Sequence, residues 1–310
     1  IKNSTATQYS YETTVRLNED YSYQVRLTND ASTESKDIIF FDSLENFFQK
    51  AEETSPTKVS DWKGKLTGIN VNNLVFKGIS PVIYLSKVDT MNIQNHHDFS
   101  EKINDESVWV PYNTFVSKYG LDKATAIAVD ASRMVTGNDF VMQKKESISF
   151  DIYMKAPEED KSGKTDPIAY NNIYVSRTAL RTDGDGTDEI PQFYHQDYTK
   201  AHYRVAGDLE IKKVDTTDMT TAIKGITYKL SGTSDYGTDY MEERVSDKNG
   251  NMQFESIEKG NYELREISCS DDWQLNMETY TVTINEKGIA VINGLTKSGN
   301  AYIVSDKPRI

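Results

Sequence analysis

The sequence predicts a mostly β protein: a large decorated β-sandwich followed by a smaller β-sandwich. Three observations predict it. Short runs alternate apolar and polar residues with a period of two, as strands with one buried face do. Polar turn residues separate these runs, and 19 tyrosines among plentiful Thr, Ser, Asn and Asp suit such strands. Near the C-terminus, three alternating runs each place a charged residue on their apolar side. The 310 residues are enough for two or three domains. We place the boundary so that 1–206 forms the N-terminal domain and 207–310 the C-terminal one.

The N-terminal runs come first. Tyr11 to Leu17 and Tyr21 to Thr28 alternate, and Asn18-Glu19-Asp20 between them predicts a hairpin. Asp37 to Asp42 is a further strand. Residues 43–52 have helical spacing, with Ser43 as a candidate N-cap. Residues 89–123 read as an insertion. Within it, Pro111 to Gly120 predicts a short helix ended by glycine. Ala126 to Asp130, Ser147 to Lys155 and Ala169 to Val175 are later strands. The stretch 176–206 is polar, contains Pro191, and reads as a looped junction.

Three candidate metal or thiol sites lie along this path. Asp183, Asp185, Thr187 and Glu189 alternate as in some calcium loops, but the flanking helices and spaced terminal glutamate of an EF-hand are missing. A flexible turn is the favoured reading. His96-His97-Asp98 reads as a solvated loop, since adjacent histidines rarely reach one ion. Cys269, the single cysteine, has no histidine near it in sequence and reads as an inert thiol. We expect no metal and no cofactor.

The C-terminal runs carry the chemistry. Leu209, Ile211 and Lys213 share one face of their strand. So do Tyr262, Leu264 and Glu266, and Tyr302, Val304 and Asp306. All three charges then point into one small core. A buried charge is costly unless paired or neutralised. One amine and two carboxyls in a dry pocket can also condense to an amide. Burial raises a carboxyl pKa and lowers an amine pKa, and a neutral amine is a nucleophile. The alternative is an unreacted ion cluster, or a strand end whose charge reaches solvent.

Residues 207–310 resemble a Cna B-type (prealbumin-like, Ig-like) module of Gram-positive surface proteins. Gly207 to Asp215 is similar to the family's first strand and Lys224 to Leu230 to its second. Asp247 to Phe254 resembles the turn and strand that follow. Gly260-Asn261-Tyr262-Glu263-Leu264-Arg265-Glu266 fits the family pattern Gly-x-Tyr-x-Leu-x-Glu, and Tyr302 to Pro308 resembles the closing strand. The resemblance implies an intramolecular isopeptide bond between Lys213 and Asp306, with Glu266 as the catalytic proton shuttle. Many relatives carry Asn where Asp306 stands. The loop from Ile267 to Trp273 lacks the proline-containing loop common in relatives. In the N-terminal part, Tyr23-x-Val25-x-Leu27-x-Asn29 resembles β-sandwich repeats of Gram-positive surface proteins. Related sandwiches sometimes join an early Lys to a late Asn. Asn171 and Asn172 are placed for that, but strands 11–17 and 21–28 carry Arg16 and Arg26 and no Lys, and Arg is no such nucleophile.

Composition narrows the function. A net charge of −13 argues against a nucleic-acid partner. One cysteine allows no intramolecular disulfide. No run approaches the roughly 20 apolar residues of a membrane helix. The absence of a signal peptide or sorting motif reads as a mature fragment of a longer protein. No Ser-His-Asp setting, metal motif or phosphate loop stands out, so we expect no enzyme. The resemblance implies an extracellular, cell-wall or cell-surface location and a structural or adhesive module stiffened by its crosslink. Its expected partners are adjacent domains of the same surface protein. The alternative is a ligand-binding region that recognises a host protein or glycan through the N-terminal domain.

Overall fold

The computed structural model describes residues 1–45, 59–88, 108–183, 186–195 and 198–309. It is mostly β, with several sheets, as expected. Two compact units divide the chain: Ile1–Pro157 with Pro167–His202, and Glu158–Asp166 with Tyr203–Ile310.

Among the described residues, the first unit contains three sheets. A four-stranded sheet orders Lys2–Asn3, Asp20–Thr28, Ser147–Lys155 and Lys65–Asn70. A three-stranded sheet orders Ile168–Asn171, Thr199–Arg204 and Glu12–Arg16. The six-stranded sheet runs Gly186–His195, Ile173–Asp183, Glu34–Asp42, Ala126–Asp130, Val82–Ser86 and Val110–Pro111.

Both early strands form, but they are not a hairpin. Glu12–Arg16 and Asp20–Thr28 lie in different sheets. Asp20–Thr28 instead makes an antiparallel ladder with Ser147–Lys155, setting Tyr23 against Ile152 and Val25 against Phe150. All four of those residues are buried, whereas Glu12–Arg16 buries only Val15. The longer strand pairs where more apolar surface leaves water. The turn between them is held another way. The Glu19 carboxylate accepts the Arg16 N–H at 2.7 Å, and Asn18 takes a left-handed φ of 57°.

Two further expectations change. Residues 169–175 form two strands, Ile168–Asn171 and Ile173–Asp183, in two sheets. The described residues of the junction 176–206 are mostly strand, not loop. Ile173–Asp183 folds back on Gly186–His195 with register from Tyr174↔His195 to Asp183↔Gly186. Pro191 sits in the edge strand of its sheet, where a missing N–H costs least. The polar side chains of this hairpin hid its alternation.

The predicted helix near Pro111 is present at Tyr112–Tyr119, and Gly120 ends it with φ 87°. Ser43 does not begin a helix within the described residues. Leu44 and Glu45 form a turn with left-handed φ values of 46° and 63°. Residues 46–58 and 89–107 lie outside the described residues, and with them most of the expected 43–52 helix and His96-His97-Asp98.

The second unit is a two-sheet sandwich. One sheet orders Asn251–Glu258, Ala206–Asp215, Ala301–Asp306 and Lys297–Ser298. The other orders Asp239–Val245, Thr227–Ser234, Gly260–Ser268, Thr279–Ile284 and Ala290–Ile292. Leu209, Ile211, Phe254, Tyr302 and Val304 of the first sheet pack with Tyr228, Leu230, Leu264 and Val282 of the second. Segment Glu158–Asp166 belongs to this unit. The Asp160 carboxylate accepts hydrogen bonds from Lys259 Nζ at 2.7 Å and the Tyr236 hydroxyl at 3.0 Å.

Candidate functional site

The sheet geometry explains how three distant residues meet. Ala206–Asp215 and Ala301–Asp306 are parallel neighbours, with Lys213 opposite Val304 and Asp215 opposite Asp306. Side chains two apart share a face, so Lys213 and Asp306 both point inward. Glu266 comes from the facing sheet, where it pairs with Tyr228.

The lysine strand is pinned on both sides. Lys213 donates its N–H to Gly250 O at 2.8 Å and accepts from Ile223 N at 3.0 Å. Gly250 has φ 78°, and a Cβ there would stand 2.3 Å from Lys213 O. Only glycine fits that approach. The Asp247-Lys248-Asn249-Gly250 turn read from the sequence therefore sets the backbone that carries the amine.

Lys213, Glu266 and Asp306 converge. Lys213 Nζ donates to Glu266 Oε2 at 2.8 Å, to Asp306 Oδ1, and to the Tyr228 hydroxyl at 3.0 Å. The side chains of Lys213, Glu266 and Asp306 have no solvent exposure. Glu266 Oε1 accepts the Asn276 backbone N–H at 3.3 Å. Among the described residues, Asp306 Oδ2 is buried with no hydrogen-bond partner.

Electrostatics favour one proton on the carboxyl pair. One ammonium and two carboxylates would leave a net negative charge in the core, and a proton on one carboxyl removes it. Burial pushes the Asp306 carboxyl up to about 6, against the opposing hydrogen bond and charge of Lys213, and the Glu266 charge adds to the rise. Burial, with the Glu266 and Asp306 charges, raises the Tyr228 hydroxyl, which stays neutral.

Tyr228 is a member of the site that the three-charge reading passed over. Its signal was present, because Tyr228 lies in phase with the inward Ile226 and Leu230. The Asn276 contact uses only backbone and has no side-chain signature. Cys269 is half-buried, its thiol donating to Trp273 O at 3.4 Å. Burial raises its pKa, which disfavours the reactive thiolate.

In the first unit, Asn171 is buried as a crosslinking acceptor would be. Its Nδ2 donates to Asp42 Oδ2 at 2.8 Å, and its Oδ1 accepts Glu45 N–H at 2.8 Å. Glu45 Oε1 accepts from the hydroxyls of Tyr21 and Tyr23, each at 2.6 Å, and Oε2 from Gly64 N–H at 2.6 Å. The hydroxyls of Tyr21 and Tyr23 face this acid, and the Lys63 charge also acts on it.

Of the alternating acids at 183–189, Glu189 pairs with Lys36 at 2.5 Å. Among the described residues, no group of three His, Cys, Asp or Glu side chains could hold a metal ion. No described helix is long and apolar enough to cross a membrane.

The fold and site define a class: a β protein whose C-terminal unit is a prealbumin-like sandwich. Residues 207–297 match the family model described as SpaA: prealbumin-like fold domain. The chain is similar, at 11% identity and a TM-score of 0.32, to BcpA, the major pilin subunit of Bacillus cereus, covering 96% of this chain and 67% of that one. It is similar to the group B streptococcus pilus 2b backbone protein at 11% identity and a TM-score of 0.27, covering 94% of each chain. Domains D2 and D3 of the major pilin SpaD from Corynebacterium diphtheriae give 10% identity and a TM-score of 0.28, covering 94% of each chain. No curated protein matches the sequence.

Proposed function

We propose that this chain is a structural module of a Gram-positive surface protein, self-crosslinked in its C-terminal unit. One observation carries the reading: Lys213 Nζ is hydrogen-bonded to both Glu266 and Asp306, in side chains with no solvent exposure. The prealbumin-like family match over 207–297 supports the same reading.

The reaction follows from the protons. The ammonium gives one proton to the carboxyl pair and becomes a neutral amine. Its lone pair attacks the Asp306 carboxyl carbon, forming a C–N bond. Glu266 takes a proton from that nitrogen and delivers it to the departing hydroxyl as the C–O bond breaks. The products are a neutral amide and one water. The fold supplies the positioning, which alone can lower such a barrier by roughly 7–11 kcal/mol. The reaction turns over once, on its own chain.

The bond would join the first and last strands of the unit. Tension on the chain ends would then load a covalent link before the hydrogen-bonded ladder. That suits a stalk element at a bacterial surface.

Intact-protein mass spectrometry tests the reading. The purified chain is expected to weigh one water less than its sequence, and Glu266→Ala to weigh the full amount. A wild-type chain at full mass refutes the proposal.

A further inference from the structure

The Lys213 amine has a third partner that the crosslinking reaction does not yet use. We propose that Tyr228 is a positioning residue of that reaction, its neutral hydroxyl holding one N–H of Lys213 so that the amine's lone pair faces Asp306. This rests on the crosslink reading and goes beyond it.

An ammonium has three N–H bonds, and here they go to Tyr228, Glu266 and Asp306. A neutral amine has two and one lone pair. If Glu266 alone held the amine, rotation about the Cε–Nζ bond would leave the lone pair undirected. With Tyr228 and Glu266 each accepting one N–H, the lone pair points to the remaining neighbour, Asp306. The two acceptors come from register partners in one sheet, and the electrophile comes from the other. Their spacing is therefore fixed by the sandwich, not by side-chain rotation.

The bland account is that Tyr228 is a core tyrosine whose hydroxyl needed some partner. Its ring is fully buried among Leu230, Leu264 and Val304. That account gives the hydroxyl a role in stability and none in the reaction rate. Tyr302 supplies the comparison. It is buried in the same core, and its hydroxyl donates to Ala290 O at 3.1 Å, with no part in the lysine cluster.

The experiment follows crosslinking in the full chain after a short pulse of cell-free synthesis, reading the loss of water by intact mass. Tyr228→Phe keeps the ring and removes the hydroxyl. It is expected to crosslink about tenfold more slowly, or slower still. Tyr302→Phe is expected to keep the wild-type rate. A wild-type rate in Tyr228→Phe overturns the proposal, and so does equal slowing in both variants. If Tyr228→Phe melts without cooperativity, a difluorotyrosine at 228 replaces it, retaining size and hydroxyl but weakening the acceptor. Slower crosslinking then supports the role, and an unchanged rate overturns it. A wild type that never loses water overturns the crosslink reading itself, which is a separate result.

Discussion

Lys213 Nζ lies 2.8 Å from Oε2 of Glu266, and neither side chain touches solvent. Glu266→Gln keeps nearly the same shape but cannot take the amine's proton. The expected outcome is a folded chain at full mass. The lost bond would have closed a loop spanning 93 positions, from Lys213 to Asp306. By the chain-entropy argument for crosslinks, that loop is worth roughly 4–5 kcal/mol. The C-terminal unit should then melt lower by roughly 15 °C or more. Calorimetry on both proteins, with masses confirming that only the wild type is linked, checks this. Equal melting temperatures would move the bond's value to resistance against pulling.

Asp306 gives the reaction a pH dependence. Its carboxyl titrates at about 6 because burial outweighs the Lys213 charge. The protonated acid is the form that can lose hydroxide as water. Crosslinking of freshly made protein should therefore be fastest below about pH 6 and slow as pH rises above it. An amine in water would behave oppositely, reacting faster as it loses its proton. Mass time courses from pH 5 to 8 separate the two, and a rate that climbs through this range would refute the buried-acid mechanism.

A third expectation concerns the segment Glu158–Asp166. Asp160 has a fully buried side chain and pairs with Lys259, whose side chain is 12% exposed. Hydrogen bonds from Lys259 and Ser162 hold the Asp160 carboxylate below its usual range, against burial. Asp160→Ala would leave Lys259 without that partner. Breaking such a pair from one side costs about 3 kcal/mol. In the full chain, the thermal transition of the second unit should fall while that of the first stays in place. An unchanged second transition would show that the segment is dispensable. A piece starting at 207 lacks this contact and should melt lower than the unit within the full chain.

These residues show how much of the molecule was legible in the sequence. Lys213, Glu266 and Asp306 could be found because a strand's period of two fixes which face a side chain takes, whatever its partner strand. Tyr228 obeyed the same rule and was readable by it. The partner strands themselves were less legible. Asn18-Glu19-Asp20 is a sound turn, yet the strands it joins go to different sheets, because Asp20–Thr28 finds its apolar partners more than a hundred residues away in Ser147–Lys155. Pro191 and the surrounding polar residues masked a strand that sits at a sheet edge. The Asp42, Glu45 and Asn171 cluster depends on a left-handed turn at Leu44 and Glu45, a geometry that neither residue type favours.

That cluster carries the last prediction. Asp42 is fully buried and its carboxyl is pushed up to about 7, chiefly by burial and also by the charge of Glu45, against hydrogen bonds from Asn171 and Leu44. Burial raises Glu45 as well. In the unfolded chain Asp42 returns to its ordinary value of 3.8. Between those values the folded state holds a proton that the unfolded state has released. The stabilisation is therefore complete below about pH 4, falls as pH rises, and is gone above about pH 7. One such proton gives a slope of about 1.4 kcal/mol per pH unit. Asp42→Asn removes the titration while keeping an acceptor for one of its two hydrogen bonds. The variant should be less stable than wild type at pH 4 and show a flatter decline toward pH 7. Urea unfolding at a series of pH values, followed through the buried Trp62 and Trp109 of the first unit, measures both slopes. Parallel slopes in the two proteins would mean that Asp42 is not the proton-holding group and would leave Glu45 as the acid to test next.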